Sequence, residues 1–217
     1  MSKTIINHKR FADRAAEHAL IDIDSRLAAI DADAVEQRVA IVRELIHLGE
    51  GQPDLSPHRL RRELLELDNV FEEYVEGTIL RVALAATGEE YTTERKRLLA
   101  VFNELDERLR HRRFLLGPRI TMPDLRLWTL LVRYDLGYNP LIKISKLRLV
   151  DLPQLWAYAR DLYQLPPFRD TTDFAAIARM AQTSPASPRE APWRVLVEPY
   201  AGDWESPHGR EALAAYR

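Results

Sequence analysis

Cysteine is missing from all 217 residues, which removes disulfides, thiolate metal sites and any thiol nucleophile supplied by these residues. Glycine is scarce, and none of the 8 clusters as G-x-G-x-x-G or as a phosphate-cradling loop, so nucleotide-dependent chemistry has no support. A Ser-His-Asp order is absent too. No apolar run approaches the roughly 20 residues that cross a bilayer, and the opening "MSKTIINHKRFADRAAEH" has no signal-peptide core. No membrane contact and a cytoplasmic location are therefore expected. Neither charge dominates: 31 Lys and Arg stand against 33 Asp and Glu, which gives nucleic-acid binding no electrostatic footing. The basic stretch "ERLRHRRF" reads as a helix end, where cations complement the dipole.

What is present is apolar content of 46%, enough for a real core, arranged at three- and four-residue steps. The spacing predicts helices over His8 to Ile30 and Asp33 to Leu48, then a long helix from Ser56 and Pro57 to about Ala86, interrupted at Gly77. A further helix starts at Thr92 or Thr93 and runs through Leu109. "LLGPRITMPDLRLW" stops one helix at Gly117-Pro118 and starts a buried one at Thr121, where Thr-x-x-Asp forms a capping box and Pro123 costs nothing in the first turn. That helix ends near Tyr138-Asn139-Pro140. "LIKISKLRLV" reads as an extended connector, Asp151 with Gln154 as the cap of the next helix, and Thr172 to Ala181 as a last helix before a proline-rich tail. With no repeated strand signal and no internal repeat, the fold class is all-α, a helical bundle.

Three blocks in order, "TMPDLRLWTLLVRYDLGY", "RLVDLPQLWAYARDLYQLPPF" and "SPHGR", resemble the C-terminal domain of glutathione transferases, and within them the xi class, the glutathionyl-hydroquinone reductases. The resemblance runs from about Ser56 to the end of the chain. It implies a 1–50 helical extension, a 51–183 transferase-like helical domain and a 184–217 irregular tail packed on it. Members of that family carry a thioredoxin-like domain whose cysteine attacks a glutathionylated quinol; these residues show only two helices there and no cysteine. Tyr138 matches a tyrosine of the family's substrate pocket, whereas Leu80 and Ala181 stand where the family has further tyrosines. Leu141 and Ile144 replace a histidine and a cysteine, and Lys143 is kept. The pocket is thus expected to be more apolar than the family's.

Tyr138 is the candidate catalytic residue, as a phenol able to hydrogen-bond or protonate an aromatic ligand. Arg126, Arg133, Leu80, Lys143 and Trp128 are candidate substrate-binding residues. Arg126 and Arg133 lie on nearly one face of a buried helix with Asp135 nearby, so ion pairing competes with binding of a ligand carboxylate. Glu44 and His47 have the spacing of a helical di-iron pair, but a second helical pair is missing, so no metal and no cofactor is expected. The run Glu63, Glu66, Glu72, Glu73 and Glu76 reads as a solvated face, and His208 as a capping or packing residue. Two functions fit these features: a glutathione-independent enzyme of lyase, isomerase or cyclase type acting on a small aromatic or apolar molecule, or a non-catalytic module that docks a protein partner. The resemblance also implies a homodimer, with its contact at "RYDLGYNPLIK".

Overall fold

The structure is a computed structural model in which residues 27–48, 53–182, 194, 197 and 199–214 are described. Of the helix expected over His8 to Ile30, the part before residue 27 lies outside them, as does the Gly49 to Gly51 stop.

Residues 27–48 form one continuous helix, α1. The break expected between Ile30 and Asp33 is absent because Leu27, Ile30, Ala34, Gln37 and Ile41 carry a single buried stripe straight across it. After a 3₁₀ turn at His58–Leu60 come α2 (Arg61–Asn69), a π turn (Val70–Glu76) and α3 (Gly77–Leu84), end to end, where one helix was expected. Gly77 closes the π turn. A Cβ there would lie 2.9 Å from the Glu72 carbonyl oxygen, so only glycine lets the widened turn pass that close.

Helix α4 spans Gly88–Leu109, starting four residues before the expected threonines. Its cap is Thr87, which accepts from the Glu90 N–H at 3.2 Å, while Glu90 accepts from the N–H groups of Ala86 (2.8 Å) and Thr87 (3.2 Å). Past its end, Phe114 and Gly117 exchange backbone hydrogen bonds in a tight turn, with Gly117 at a φ of 132°.

Helix α5 (Met122–Arg133) starts at Thr121 as expected. Asp124 accepts from the Thr121 N–H (2.8 Å) and hydroxyl (2.7 Å), and also from the Leu115 N–H and the Tyr158 hydroxyl, both at 2.9 Å. Four donors therefore converge on one fully buried carboxylate. Burial still pushes its carboxyl above the usual range, with the donors opposing. The helix does not stop at Pro140: a π turn (Tyr134–Tyr138) and α6 (Asn139–Ile142) continue it to Lys143, whose left-handed backbone (φ 57°) ends it.

The connector 144–148 is irregular, held by Asn139, whose amide donates to the Ser145 carbonyl (3.0 Å) and accepts its N–H (2.9 Å). Helix α7 (Pro153–Tyr163) is capped from a distance: Asp106 of α4 accepts the N–H groups of Gln154 and Leu155, both at 2.8 Å. Asp151 instead accepts from the Arg148 N–H and closes the preceding 3₁₀ turn. Helix α8 (Pro166–Arg169) follows the double proline, and α9 (Phe174–Gln182) is capped by Asp173. In the bundle α4 packs on α3 and α7, α5 on α2 and α7, and α9 on the Tyr134–Tyr138 turn. No strand occurs among the described residues, so the all-α reading holds.

The tail is pinned by cation caps and aromatic packing. Buried Arg210 donates to the Leu109 carbonyl at the end of α4 and to the Arg112 and Arg113 carbonyls just beyond it. Trp204 meets Trp128 edge-on, with ring centroids 5.7 Å apart.

Candidate functional site

The last residues of the two π turns, Glu76 and Tyr138, line a cavity of about 260 Å³ together with residues of α1 and α3. Leu27, Ile79 and Leu80 supply apolar lining, and Asp31, Glu76 and Tyr138 supply the polar groups. A second cavity of about 170 Å³ shares those three polar residues and continues to Arg38, Arg126 and Leu130.

Tyr138 is buried, and its hydroxyl donates to Asp31 Oδ1 at 2.7 Å. Burial first, and the neighbouring carboxylate second, push its phenol well above the ordinary range, so it stays protonated at neutral pH. Asp31 lies at the solvent edge of α1. Partial burial raises its carboxyl, and the Tyr138 hydrogen bond works against that rise. Glu76 is held by both arms of the Arg126 guanidinium (2.9 and 2.6 Å), a bidentate pair.

Arg133 is almost fully buried and ties α1 down. It donates to Asp33, to Gln37 Oε1 at 2.6 Å and to the Thr129 carbonyl at 2.9 Å. Gln37 passes the connection on to Thr172, and Arg38 reaches the Thr129 hydroxyl at 3.3 Å. The arginines of α5 are thus paired, but with α1 and the first π turn. Asp135 faces away from them, accepting the Leu149 N–H at 2.9 Å.

Tyr138, Leu80 and Arg126 line one or both cavities, and Arg133 lines neither. Trp128 and Lys143 do not join them. Trp128 is in the aromatic core against Phe168, Tyr163 and Trp204, and Lys143 offers its carbonyl to the Tyr91 hydroxyl as it terminates α6. The side chain of Ala181 lies outside the described residues. Glu44 and His47 are on the exposed end of α1, where the His47 ring meets the Arg43 carbonyl at 2.7 Å. Glu76 is not part of a solvated face: it lines both cavities and pairs with Arg126. His208 caps as expected, with Nδ1 accepting the Arg210 N–H at 3.1 Å. Of the segment Arg133 to Lys143, expected at a dimer contact, Pro140 and Lys143 are partly exposed and the other residues are buried.

Residues 81–161 match the family model of the glutathione S-transferase C-terminal domain. The bundle is glutathione S-transferase C-terminal-like. Among curated proteins, the chain is 29% identical over 162 residues to the glutathionyl-hydroquinone reductase YqjG of Escherichia coli, covering 72% of this chain and 49% of that protein. Among solved structures, the glutathione-bound form of YqjG superimposes with a TM-score of 0.66 at 28% identity, over 76% of this chain and 53% of the other. A glutathione transferase of Gordonia bronchialis superimposes with a TM-score of 0.65 at 36% identity, over 76% and 51%. The chain spans about half the length of the relatives it matches.

These relatives overturn one expectation. A glutathione-independent lyase, isomerase or cyclase was inferred from the missing cysteine, yet the similar proteins are glutathionyl-hydroquinone reductases and glutathione transferases, one of them solved with glutathione bound. The absence of cysteine describes these residues, and a transferase-type helical domain need not itself carry the reacting thiol.

Sequence reasoning missed Asp31 and Glu76. A signal for α1 was available: Gln37 is a polar residue on an otherwise apolar stripe, which marks a helix face that meets a polar partner.

Proposed function

We propose that this chain supplies the aromatic-substrate pocket of a glutathione-dependent transferase or reductase of the kind its relatives are named for. The observation that carries the reading is the cavity beside Tyr138, with apolar walls from α1 and α3 and few polar groups, the composition that buries a small aromatic molecule and fixes its orientation. Tyr138 touches the ligand in this reading. Arg126 positions Glu76, and Arg133 positions α1. Leu80 widens the apolar wall. The sulfur comes from glutathione, and any protein thiol from outside these residues. The division at residues 50 and 183, a cytoplasmic setting and a homodimer belong to the same reading. Exposed Val35, Val39, Ile46 and Leu48 on α1 support a contact with a second copy or another protein there.

A thermal-shift series with hydroquinone, glutathione and a glutathionyl-hydroquinone tests it on the wild type and on Tyr138→Phe. The conjugate at about 100 times its Kd stabilises the wild type by roughly 2.7 kcal/mol, and the variant responds less. No shift with either aromatic compound overturns the pocket assignment, and a strictly monomeric mass removes the dimer.

A further inference from the structure

A third cavity, of about 290 Å³, lies between the 54–60 segment ahead of α2 and the 116–121 segment ahead of α5, and shares no lining residue with the two beside Tyr138. The Met122 N–H donates to the Leu55 carbonyl at 2.9 Å and ties the two segments together. Arg59, Arg119 and His58 line the cavity from its exposed rim, and none of the three makes a hydrogen bond or an ion pair among the described residues. Asp54 is the single carboxylate of the lining, and half-buried Leu60 and Leu116 give it apolar surface. Positive charge continues around it: segments 54–62 and 108–119 hold eight arginines against that one carboxylate, in a chain whose net charge is -2. Three of the eight are paired from outside these segments, Arg62 with Glu66, Arg110 with Glu107 and Arg113 with Asp161. Arg108 and Arg112 reach only the Leu115 carbonyl, next to the cavity wall. The basic stretch read as a helix end therefore leaves cations beside this cavity without a carboxylate.

We infer that this cavity is a second binding site, for a small phosphate monoester with a compact apolar body. Two guanidinium groups present only donors, in the planar fork that matches phosphate oxygens, and an imidazole adds at least one more. A phosphate monoester brings three terminal oxygens and close to two negative charges at neutral pH, so it satisfies both forks at once, where a monocarboxylate satisfies one. Asp54 opposes an anion with one charge, and the two arginines outweigh it. Leu60 and Leu116 take the organic body, and a volume at the lower end of ligand pockets suits a small molecule and not a protein segment. No aromatic side chain lines the cavity, so a nucleobase finds nothing to stack on. The site stands independently of the aromatic-substrate reading: it adjoins the Thr121 cap of α5 and not Tyr138.

Isothermal titration of the 217-residue chain with cyclohexyl phosphate, at about pH 7.5 where the phosphate is a dianion, reads this out. The wild type is expected to bind one equivalent, about tenfold more tightly than inorganic phosphate because of the apolar lining, and not to bind cyclohexanol. Arg59→Gln and Arg119→Gln should each weaken binding about tenfold and the double variant should abolish it. Arg110→Gln removes the same charge outside the cavity and should leave binding unchanged. Both cavity arginines are exposed and unpaired, so their variants keep the fold, which an unchanged melting temperature verifies. No binding by the wild type, an equal loss in Arg110→Gln, or full binding by the double variant overturns the inference. Inorganic phosphate bound as tightly as the ester overturns the assignment of an organic body, and a phosphoserine peptide bound more tightly than the ester overturns that of a small molecule.

Discussion

Asp135 carries a proton-linked cost that can be measured without knowing the substrate. Its side chain is buried. Oδ2 accepts the Leu149 N–H at 2.9 Å, and Oδ1 has no hydrogen-bond partner. Burial pushes the carboxyl up from 3.8 to about 6, against the opposing pull of the Leu149 N–H and Arg148. The native state thus holds this proton more tightly than the unfolded chain does. The contribution favours folding fully below about pH 4 and is lost as the pH rises through about 6. A rise of about two pH units, at about 1.4 kcal/mol each, amounts to about 3 kcal/mol between those limits. Asp135→Asn keeps an acceptor for the Leu149 N–H and cannot ionise. Equilibrium urea unfolding of both proteins from pH 4 to pH 8 should show them within about 0.5 kcal/mol of each other at pH 4. At pH 8 the variant should be more stable by about 2 kcal/mol, somewhat less than the full linkage because the new amide N–H needs an acceptor. Measuring the difference between the two proteins cancels every other titrating group they share. A difference that does not change with pH, or a wild type that gains on the variant toward pH 8, refutes the assignment.

Four further substitutions test the architecture. Asp124→Ala strands the donors of Thr121, Leu115 and Tyr158, and should cost about 4 kcal/mol in chemical unfolding; a loss below about 1 kcal/mol would mean the network does not hold the start of α5. Gly77→Ala normally favours a helix by about 0.5–1 kcal/mol, but here the new Cβ meets the Glu72 carbonyl, so the sign should reverse to a loss of about 1–2 kcal/mol, and a raised melting temperature would count against the π turn. Asp106→Ala should cost about 1–2 kcal/mol and Asp151→Ala less than about 0.5 kcal/mol, since only Asp106 caps α7; equal losses would reject the remote cap.

Local chemistry made much of the bundle readable. Thr121 and Asp124 are three residues apart, and Gly117 marks its own turn, so the start of α5 needed no tertiary knowledge. The misreadings have two physical sources. One is competition between equivalent local signals: Thr87 with Glu90 has the same capping pattern as Thr121 with Asp124 but was passed over for Thr92 and Thr93. The other is distance. Asp106 caps a helix 48 residues away, Asp31 meets Tyr138 across 107 residues and Arg133 meets Asp33 across 100, and no period in a sequence encodes such pairings. Tyr138 itself emerged from a motif, whereas the group that decides which way its proton points did not.

The two π turns have a consequence for how this pocket can change. A helix that widens from i→i+4 to i→i+5 accommodates one residue more than its α register allows, and each added residue rotates everything downstream by about 100°. Tyr138 ends one such insertion, and Glu76 and Gly77 flank the end of the other. Deleting one residue from either turn would restore a plain helix and swing these side chains off the cavity, while the hydrophobic content of the bundle stayed the same. The pocket is in that sense a phase difference between two helices, created or erased by single-codon indels more readily than by any exchange of side chains.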